Sequence, residues 1–519
     1  MPWLTSLNPT PSFPAYTGPY AVGSVDVEIP VSELESPDPK ASPCADVSTV
    51  AFRVFYPCRV DGGKGKGKGV RWIPNPQREY VGAYARFLGA GSGVAQMFSV
   101  LPQLLYYVSI PVHPNADILE PSTKSKKWPV MMFSHGLGGS RNAYSHVVGS
   151  LASHGIVVIA PDHRDGSSPI SFVHTPEEKE KLRRVEYKKV AHKASTEVYE
   201  QRDEQLRIRL WELGLIHDAL LKIDGGVPLK NVAETQKKNL AKDTLAGFSR
   251  MLNIHEPGSI SFAGHSFGAV TMIQFVKSVF YRPTSEHESF KPLFSPSEKS
   301  NIVRQVTPAS PVILLDLWAL PIQSPATAWL KSKPLPCYTA SNGGATLLSI
   351  LSEAFYKWTS NLNDTKKIIA KPSGPNSTYP EQPGPHIFYP VSSAHLSQSD
   401  FGVLFPWVTT KVFGAKEPER VLKLNVRAIL QVLRNSGAEV ADTNVMDLEL
   451  DENSGSTAGL SSDEKILSTS KDSVRDWISL RTDLEIDSKT STTSKGPGDA
   501  VVEGEVLGEL VSGSERANM

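Results

Sequence analysis

The chain has 519 residues, with 54 acidic and 54 basic side chains and a formal net charge of zero at pH 7. This length suits one large α/β domain with additional segments, and the balanced charge gives no electrostatic basis for nucleic-acid binding. Its three cysteines, Cys44, Cys58 and Cys337, lack metal-like spacing and argue against a zinc site or a disulfide framework. We therefore expect no metal, no cofactor and a reducing compartment.

The N-terminus lacks a basic start followed by an apolar run, and no stretch approaches the roughly 18 to 20 apolar residues of a membrane span. A cytoplasmic location without a signal peptide is therefore predicted. Residues 1–17 are rich in proline and serine, and we expect them to be disordered. Order is expected from Gly18, and residues 25–30 and 49–57 alternate as an antiparallel pair of strands would.

The segment that begins at Phe87 and ends at Tyr107 is unusually apolar, with Met97, Phe98 and Leu101 near its middle. Two interpretations remain open for it. It either packs against the sheet as part of the core, or has a functional role: it forms a hydrophobic collar around an acyl pocket, or an interfacial segment that contacts a membrane peripherally.

A buried strand is predicted from Trp128, followed by the glycine-rich turn His135-Gly-Leu-Gly-Gly139. Such a turn can offer a backbone N–H to an oxyanion, here that of Leu137. The next predicted strand, residues 156–161, leads into Asp162-His-Arg-Asp165, which we interpret as a structural network. Residues 175–223 are expected to be helical, with a regular apolar face that includes Leu206, Leu210 and Leu213.

Residues 259–263 read as a buried strand and residues 269–281 as a helix, with Gly264-His-Ser-Phe-Gly268 at the turn between them. This is the G-x-S-x-G pattern of a nucleophile elbow, in which a strained turn projects the serine hydroxyl above the sheet. Ser266 is therefore the candidate nucleophile. The backbone N–H of Phe267, the next residue, would be the other oxyanion donor.

The elbow pattern requires an acid and then a histidine later in the chain. Asp316 directly follows the predicted strand 312–315, whereas Asp364 lies in a polar run; Asp316 is the better candidate acid. His395 follows a late strand at residues 387–391, where the base belongs, and His386 precedes that strand. The pattern also predicts a strand at residues 334–340 and a helix at 346–358.

The chain resembles the platelet-activating factor acetylhydrolases of the plasma and intracellular type II kind, as a fungal-type member with a C-terminal extension. The matching stretches spread from Gly18 to Gly414 and include Phe133-Ser-His-Gly-Leu-Gly, Asp162-His-Arg-Asp, Gly264-His-Ser-Phe-Gly, Leu315-Asp-Leu-Trp and Ser393-Ala-His. The resemblance implies an α/β-hydrolase fold, a mostly parallel central sheet flanked by helices. It also implies Ser266, Asp316 and His395 as catalytic residues, with Leu137 and Phe267 at the oxyanion hole.

The activity that the resemblance implies is calcium-independent removal of short or oxidised sn-2 acyl groups from phospholipids through an acyl-serine. Two alternatives are a general soluble carboxylesterase and a non-catalytic α/β-hydrolase scaffold. The hydrolase domain is expected at residues 18–436. Residues 437–519 carry 18 acidic and 7 basic side chains and predict a largely disordered tail, with a short helix as an alternative at 473–486.

Overall fold

The computed structural model describes residues 10–38, 47–60, 69–88, 103–174, 182–233, 244–282, 292–372, 381–448, 463–470 and 473–482. Most strands of this part of the chain belong to one sheet, whose two faces are covered by two apolar clusters. The strands are β1 (Val22–Pro30), β2 (Thr49–Pro57), β3 (Val70–Arg71), β4 (Ser109–Ile110), β5 (His113–Pro114), β6 (Trp128–Ser134), β7 (Val157–Pro161), β8 (Ile170–His174), β9 (Leu182–Glu186), β10 (Leu252–Asn253), β11 (Ile260–His265), β12 (Val312–Leu315), β13 (Leu347–Ile350), β14 (His386–Pro390) and β15 (Trp477–Ser479).

The main sheet has the order β15-β14-β13-β12-β11-β6-β7-β2-β1-β5, and β10 adds to β6. Its centre, from β14 to β7, is parallel. The pairs β1–β2, β2–β7 and β14–β15 are antiparallel. Because parallel strands end at the same edge of a sheet, the loops after β6, β11, β12 and β14 meet there.

The helices among the described residues lie between these strands or after them. They are α1 (Gln77–Phe87), α2 (Gln103–Tyr107), α3 (Ser145–Ser153), α4 (Thr196–Asp224), α5 (Phe267–Tyr281), α6 (Ile302–Gln305), α7 (Ala328–Ser332), α8 (Glu353–Lys357), α9 (Thr359–Ile369), α10 (Asp400–Leu404), α11 (Pro406–Phe413), α12 (Pro418–Asn435) and α13 (Val445–Leu448). The helix α4 begins after Ser195, whose hydroxyl accepts a hydrogen bond from the N–H of Val198.

The central strands are apolar at nearly every position because both of their faces are covered. In β6, Val130 and Met132 pack in the cluster that contains α4 and α5. Met131 and Phe133, which point to the opposite face, pack in the cluster that contains α3 and α12. The expected parallel sheet with helices on both sides is confirmed.

Three local predictions differ from the structure. Residues 182–186, expected to be helical, form β9, which pairs with β8. Residues 334–340, expected as a strand, contain the 3₁₀ turn Pro336–Thr339, and residues 346–358, expected as a helix, contain β13 and then α8. Residues 182–186 are mostly charged and form a strand because β8 pairs with them. The short apolar runs in the other two segments fit either a strand or a helix from the sequence alone.

The predicted chain ends also need correction. Residues 10–17 are ordered in the structure, and the ring of Tyr16 packs directly against Gly149 of α3. Residues 463–470 and 473–482 lie on the domain, and β15 extends the main sheet. An ordered edge strand therefore lies within the segment expected to be a disordered tail or a short helix, because β14 offers it a free edge.

The apolar segment from Phe87 to Tyr107 is described only at its two ends. Met97, Phe98 and Leu101 lie outside the described residues. Phe87 ends α1, and Leu105 lies in α2. None of the described helices is long and apolar enough to cross a bilayer.

Candidate active site

Ser266 lies at the turn between β11 and α5 with a backbone φ of 55° and ψ of −116°. Such a left-handed conformation costs a non-glycine residue on the order of 1–3 kcal/mol and persists only where surrounding structure enforces it. Here the N–H of Ser266 donates to the carbonyl of Leu315 at 2.9 Å. The strained elbow is therefore tied to the end of the adjacent strand β12.

The glycines on either side of Ser266 allow strand and helix to approach closely. A Cβ on Gly264 would lie 2.4 Å from the carbonyl carbon of Gly268. A Cβ on Gly268 would lie 2.0 Å from the carbonyl oxygen of Ser134, at the end of β6. Neither position can accept a side chain without displacing backbone.

Asp316 directly follows β12 and is fully buried. Its carboxylate is held at both oxygens, since Oδ1 accepts the N–H of Ser352 and Oδ2 lies 2.8 Å from Nδ1 of His395. The structure thus brings together two of the sequence-predicted residues that are 79 positions apart. A carboxylate in this position holds an imidazole with its proton on Nδ1, which leaves Nε2 free to accept a proton.

The imidazole of His395 is packed between two other rings. The ring of Phe355 is stacked on it with a centroid distance of 4.5 Å and an interplanar angle of 8°. The ring of His265 lies on it with a centroid distance of 4.3 Å and an angle of 32°. Ser266 and His395 both line the same cavity.

The predicted oxyanion turn follows β6 and lies against the elbow. A Cβ on Gly136 would lie 3.0 Å from the Cβ of Ser266. The N–H of Gly136 donates to the Tyr144 hydroxyl at 3.1 Å, and that of Gly138 donates to the carbonyl of Ser167 at 2.8 Å.

The two predicted oxyanion donors differ from these neighbours. Within the described part of the chain, the backbone N–H groups of Leu137 and Phe267 have no hydrogen-bond partner. Leu137 also lines the cavity. Unused backbone N–H donors in the segments next to a nucleophilic serine are the kind of group that stabilises a tetrahedral oxyanion.

The cavity in front of Ser266 has a volume of about 300 Å³ and a mostly apolar wall. A volume near the low end of the range for small-molecule sites suits a short chain better than a long one. Much of its apolar lining comes from residues before α1, in or just after α1, in α2 and after His395: Trp72, Ile73, Val81, Tyr84, Phe87, Leu88, Leu105, Phe401, Phe405 and Val408. Leu137, Tyr144 and His265 also line the cavity.

The two rejected candidates lie elsewhere. Asp364 is on α9, partly exposed, with its carboxylate 3.7 Å from the ammonium of Lys367. His386 begins β14 and so lies at the end of the sheet opposite the loops that carry Ser266 and Asp316.

A buried arginine contacts both segments that carry the predicted oxyanion donors, the turn after β6 and the start of α5. The guanidinium of Arg209, on α4, donates to the carbonyl of His135 at 2.8 Å and pairs with Asp165 at 2.6 Å. It also lies over the ring of Phe267, 4.6 Å from the ring centroid. The predicted structural role of residues 162–165 agrees with these contacts, whereas Arg209 itself was missed. The sequence does contain an indication of its role, because an arginine lies between Leu206 and Leu213 on the apolar face of α4.

A second buried pair lies beneath the same turn. Nδ1 of His163 is 2.7 Å from Oε2 of Glu212, and Oε1 of Glu212 accepts the N–H of Arg164 at 2.9 Å. Burial, with the nearby charge of Asp165, raises the pKa of Glu212 to about 8. Burial also holds the pKa of His163 well below its ordinary range, so at neutral pH the carboxyl of Glu212 keeps its proton, the imidazole is neutral and the pair has no net charge.

Potential metal ligands among the described residues cluster only at His265, Asp316 and His395, with ligand atoms within 4.8 Å of one another. Oδ2 of Asp316 is directed at Nδ1 of His395 in a hydrogen bond. These atoms therefore face one another as a proton-sharing pair does, and their contacts need no ion.

Known proteins give a consistent assignment of the chain. The model of the family "Platelet-activating factor acetylhydrolase, isoform II" matches residues 5–454. The chain belongs to this family. It is 27% identical over 82% of its length to a Schizosaccharomyces pombe protein named "Putative phospholipase A2", covering 92% of that protein.

A platelet-activating factor acetylhydrolase of Cavia porcellus is 31% identical to this family member over 52% of the chain. The match spans only about half, 53%, of the Cavia porcellus protein. Among solved structures, a ferulic acid esterase from Streptomyces cinnamoneus matches with a TM-score of 0.45 and 13% identity, over 82% of this chain and 93% of that chain.

Proposed function

We propose that the protein is a serine ester hydrolase that removes short or oxidised sn-2 acyl groups from phospholipids of the platelet-activating factor type. The observation that carries the proposal is the arrangement at one cavity. A strained serine, a histidine bonded to a buried aspartate and the turn that carries Leu137 line an apolar space, and the N–H of Phe267 follows the serine directly. The names of the relatives support the choice of a phospholipid substrate.

In the proposed reaction, Nε2 of His395 accepts the hydroxyl proton of Ser266 as Oγ attacks the ester carbonyl. Asp316 stabilises the imidazolium that forms, because its carboxylate accepts the Nδ1 hydrogen. The N–H groups of Leu137 and Phe267 stabilise the oxyanion, and His395 then protonates the leaving lysophospholipid. Water attacks the acyl-serine with His395 as base, the acyl–Oγ bond breaks to release the carboxylic acid, and His395 returns the proton to Oγ.

The finer substrate class, a 1-alkyl-2-acetylglycerophosphocholine, is favoured by the small apolar cavity. About 300 Å³ shared between an acyl chain and part of the glycerol leaves room for a short acyl group. No metal takes part in the proposed chemistry, so calcium should not be required.

Exposed side chains in or near the segments that line the cavity support a proposed peripheral membrane contact. Leu88 lines the cavity and is 37% exposed, and Tyr107, at the end of α2, is 59% exposed. Trp407, on the helix α11 whose Val408 lines the cavity, is 67% exposed. Exposed apolar and aromatic side chains close in the chain to residues of the cavity wall favour contact with a membrane surface. A cytoplasmic location stays a prediction.

The decisive test uses Ser266→Ala together with an organophosphonate that labels activated serines. Wild-type protein should hydrolyse a soluble short-chain ester and should form a phosphonate adduct at Ser266, and Ser266→Ala should lose both. Ser397, a buried serine two residues after His395, provides a control through Ser397→Ala, which should keep the adduct. An adduct mapped to another serine, or activity that survives in Ser266→Ala, would overturn the proposal.

The second candidate function, a general carboxylesterase, can be distinguished from the phospholipid hydrolase by comparing substrates. An acyl-length series of phosphocholine lipids should show a sharp loss beyond short chains, whereas small esters without a headgroup should react less well. Equal kcat/KM values for both substrate types would favour the carboxylesterase.

A further inference from the structure

The hydroxyl of Tyr144 connects the oxyanion turn to the elbow. It accepts the N–H of Gly136 at 3.1 Å, and it lies 2.8 Å from Nδ1 of His265. Because the oxygen already accepts from Gly136, its own hydrogen is available for Nδ1. That hydrogen bond favours the tautomer of His265 that carries its proton on Nε2.

The other nitrogen of His265 faces the candidate acid. Its Nε2 lies 4.0 Å from Oδ2 of Asp316, the same oxygen that is 2.8 Å from His395. Burial, and then the charge of a protonated His395, keep the pKa of His265 well below its ordinary range. Among the described residues Nε2 of His265 has no hydrogen-bond partner, and it lies beyond hydrogen-bond distance of Oδ2. A neutral His265 therefore leaves Oδ2 to His395.

His265 also limits the movement of His395, because the rings of His265 and Phe355 cover its two faces. Tilting the imidazole of His395 would need one of these buried rings to move. A contact that fixes His265 therefore also fixes the direction of His395 Nε2 relative to Ser266.

We propose that Tyr144 and His265 are a positioning pair that holds the Gly136–Leu137 turn, the elbow and the Asp316–His395 pair in one reactive arrangement. This inference rests on the proposed ester-hydrolase function. Neither side chain exchanges a proton with the substrate. Their effect is to keep an oxyanion donor and the base within reach of the same carbonyl group, and displacements of about 1 Å at such groups can cost about 100-fold in rate.

The pair is tested with Tyr144→Phe, which removes only the hydroxyl, His265→Phe, which keeps a ring but removes both nitrogens, and the double variant. On a soluble short-chain ester, Tyr144→Phe should lower kcat about 10- to 100-fold and leave KM within about 3-fold. The double variant should cost little more than the worse single variant, since the two side chains act as a unit. The control is Tyr80→Phe, a buried tyrosine packed on Phe172 and outside the cavity.

A measurement that does not depend on turnover distinguishes this inference from the proposed function. The ¹⁵N spectrum of histidine-labelled wild-type protein should show His265 neutral and protonated on Nε2 between pH 6 and 8. In Tyr144→Phe the Nδ1-protonated form should gain population. If the wild type fails to hydrolyse the ester, the proposed function is wrong. The tautomer of His265 in the two proteins would still show whether Tyr144 fixes the orientation of its protons.

Several results would overturn the positioning pair. They are wild-type His265 protonated on Nδ1, an unchanged kcat in Tyr144→Phe, or single-variant losses that multiply fully in the double variant. A rise in KM at constant kcat would also overturn it, because that result assigns Tyr144 to substrate binding.

Discussion

Gly268 of the elbow helix and Ser134 of the strand β6 approach so closely that a Cβ on Gly268 would lie 2.0 Å from the Ser134 carbonyl oxygen. This contact sets the distance between the elbow and the start of the oxyanion turn. The N–H of Phe267 precedes Gly268 directly, and the turn that carries Leu137 begins just after Ser134. The distance between the N–H groups of Phe267 and Leu137 therefore depends on residue 268 having no side chain.

Gly268→Ala should destabilise the fold by about 1–3 kcal/mol or more, the cost of overpacking, because only backbone atoms can yield. Activity that remains should show a lower kcat, since the oxyanion donors move apart. Thermal unfolding and kcat on a soluble ester measure the two effects. Gly384→Ala is the matched control, because a Cβ there meets no atom within 4 Å and its melting temperature should stay within a few degrees of wild type. A Gly268→Ala protein that matches wild type in both assays would contradict this account.

Asp316→Asn should lower kcat by about 10³- to 10⁴-fold, the size of loss known for removal of the orienting carboxylate from such a triad. An amide offers one acceptor oxygen, whereas Asp316 accepts hydrogen bonds from both Ser352 and His395. His395 would then meet an N–H group and turn to the wrong tautomer. Asp364→Asn, at the partly exposed alternative, should leave kcat unchanged. A greater loss for Asp364→Asn than for Asp316→Asn would reverse the assignment of the acid.

The residues predicted from the sequence are those whose signal is local. The elbow is contained in five consecutive residues between a strand and a helix, and the oxyanion turn in another five after a strand. Asp316 and His395 needed one more rule, the order of the residues along the chain. The two residues are 79 positions apart and could still be identified, because each follows a strand that the sequence predicts.

The features that the sequence did not reveal depend on contacts between distant segments. Tyr144 and His265 are 121 positions apart, and no spacing rule connects a tyrosine in one loop with the variable residue of an elbow. The strand β15 has only three residues and forms because β14 offers it an edge. The sequence around β15 is acidic and polar, as its composition shows, but composition does not indicate that a strand elsewhere in the chain can pair with it.

Glu212→Gln should change how the free energy of unfolding depends on pH. In the folded protein the pKa of Glu212 is raised from 4.5 to about 8, chiefly by burial. Between these values the unfolded chain has lost the proton and the folded chain keeps it. The wild type should therefore lose up to about 1.4 kcal/mol of stability per pH unit through this group as the pH rises.

Glutamine reproduces the protonated acid, since its amide can donate to His163 and its oxygen can accept from Arg164. Urea unfolding at pH 5.5, 6.5 and 7.5 should thus show a stability difference that moves in favour of Glu212→Gln with increasing pH. Glu204→Gln, an exposed partner of Lys188 on the same helix, should run parallel to wild type. Parallel curves for Glu212→Gln as well would show that Glu212 is ionised in the folded protein.

Trp407→Ser combined with Tyr107→Ser should weaken binding to phosphocholine vesicles while sparing hydrolysis of a soluble ester. Both side chains are more than half exposed, and neither lines the cavity. Loss of two interfacial aromatic rings should lower vesicle affinity on the order of 10-fold each. Val227→Ser, an exposed apolar residue after α4, is the control. Equal losses of vesicle binding and of soluble-ester hydrolysis, with a lower melting temperature, would indicate that the two side chains contribute to packing rather than to a membrane contact.

The last prediction separates an ordered C-terminal strand from a disordered tail by comparing two tryptophans. Trp477 is 5% exposed, stacks on Phe388 of β14 at 5.2 Å and donates from Nε1 to the carbonyl of Ile466 at 2.9 Å. Trp477→Ala should therefore lower the free energy of unfolding by about 3 kcal/mol, the low end for a buried large aromatic. Since β14 leads into the loop of His395, kcat on a soluble ester should fall with it. Trp407→Ala, the same change at an exposed site, should leave the melting temperature close to wild type, and an equally silent Trp477→Ala would mean that this segment is not held on the sheet.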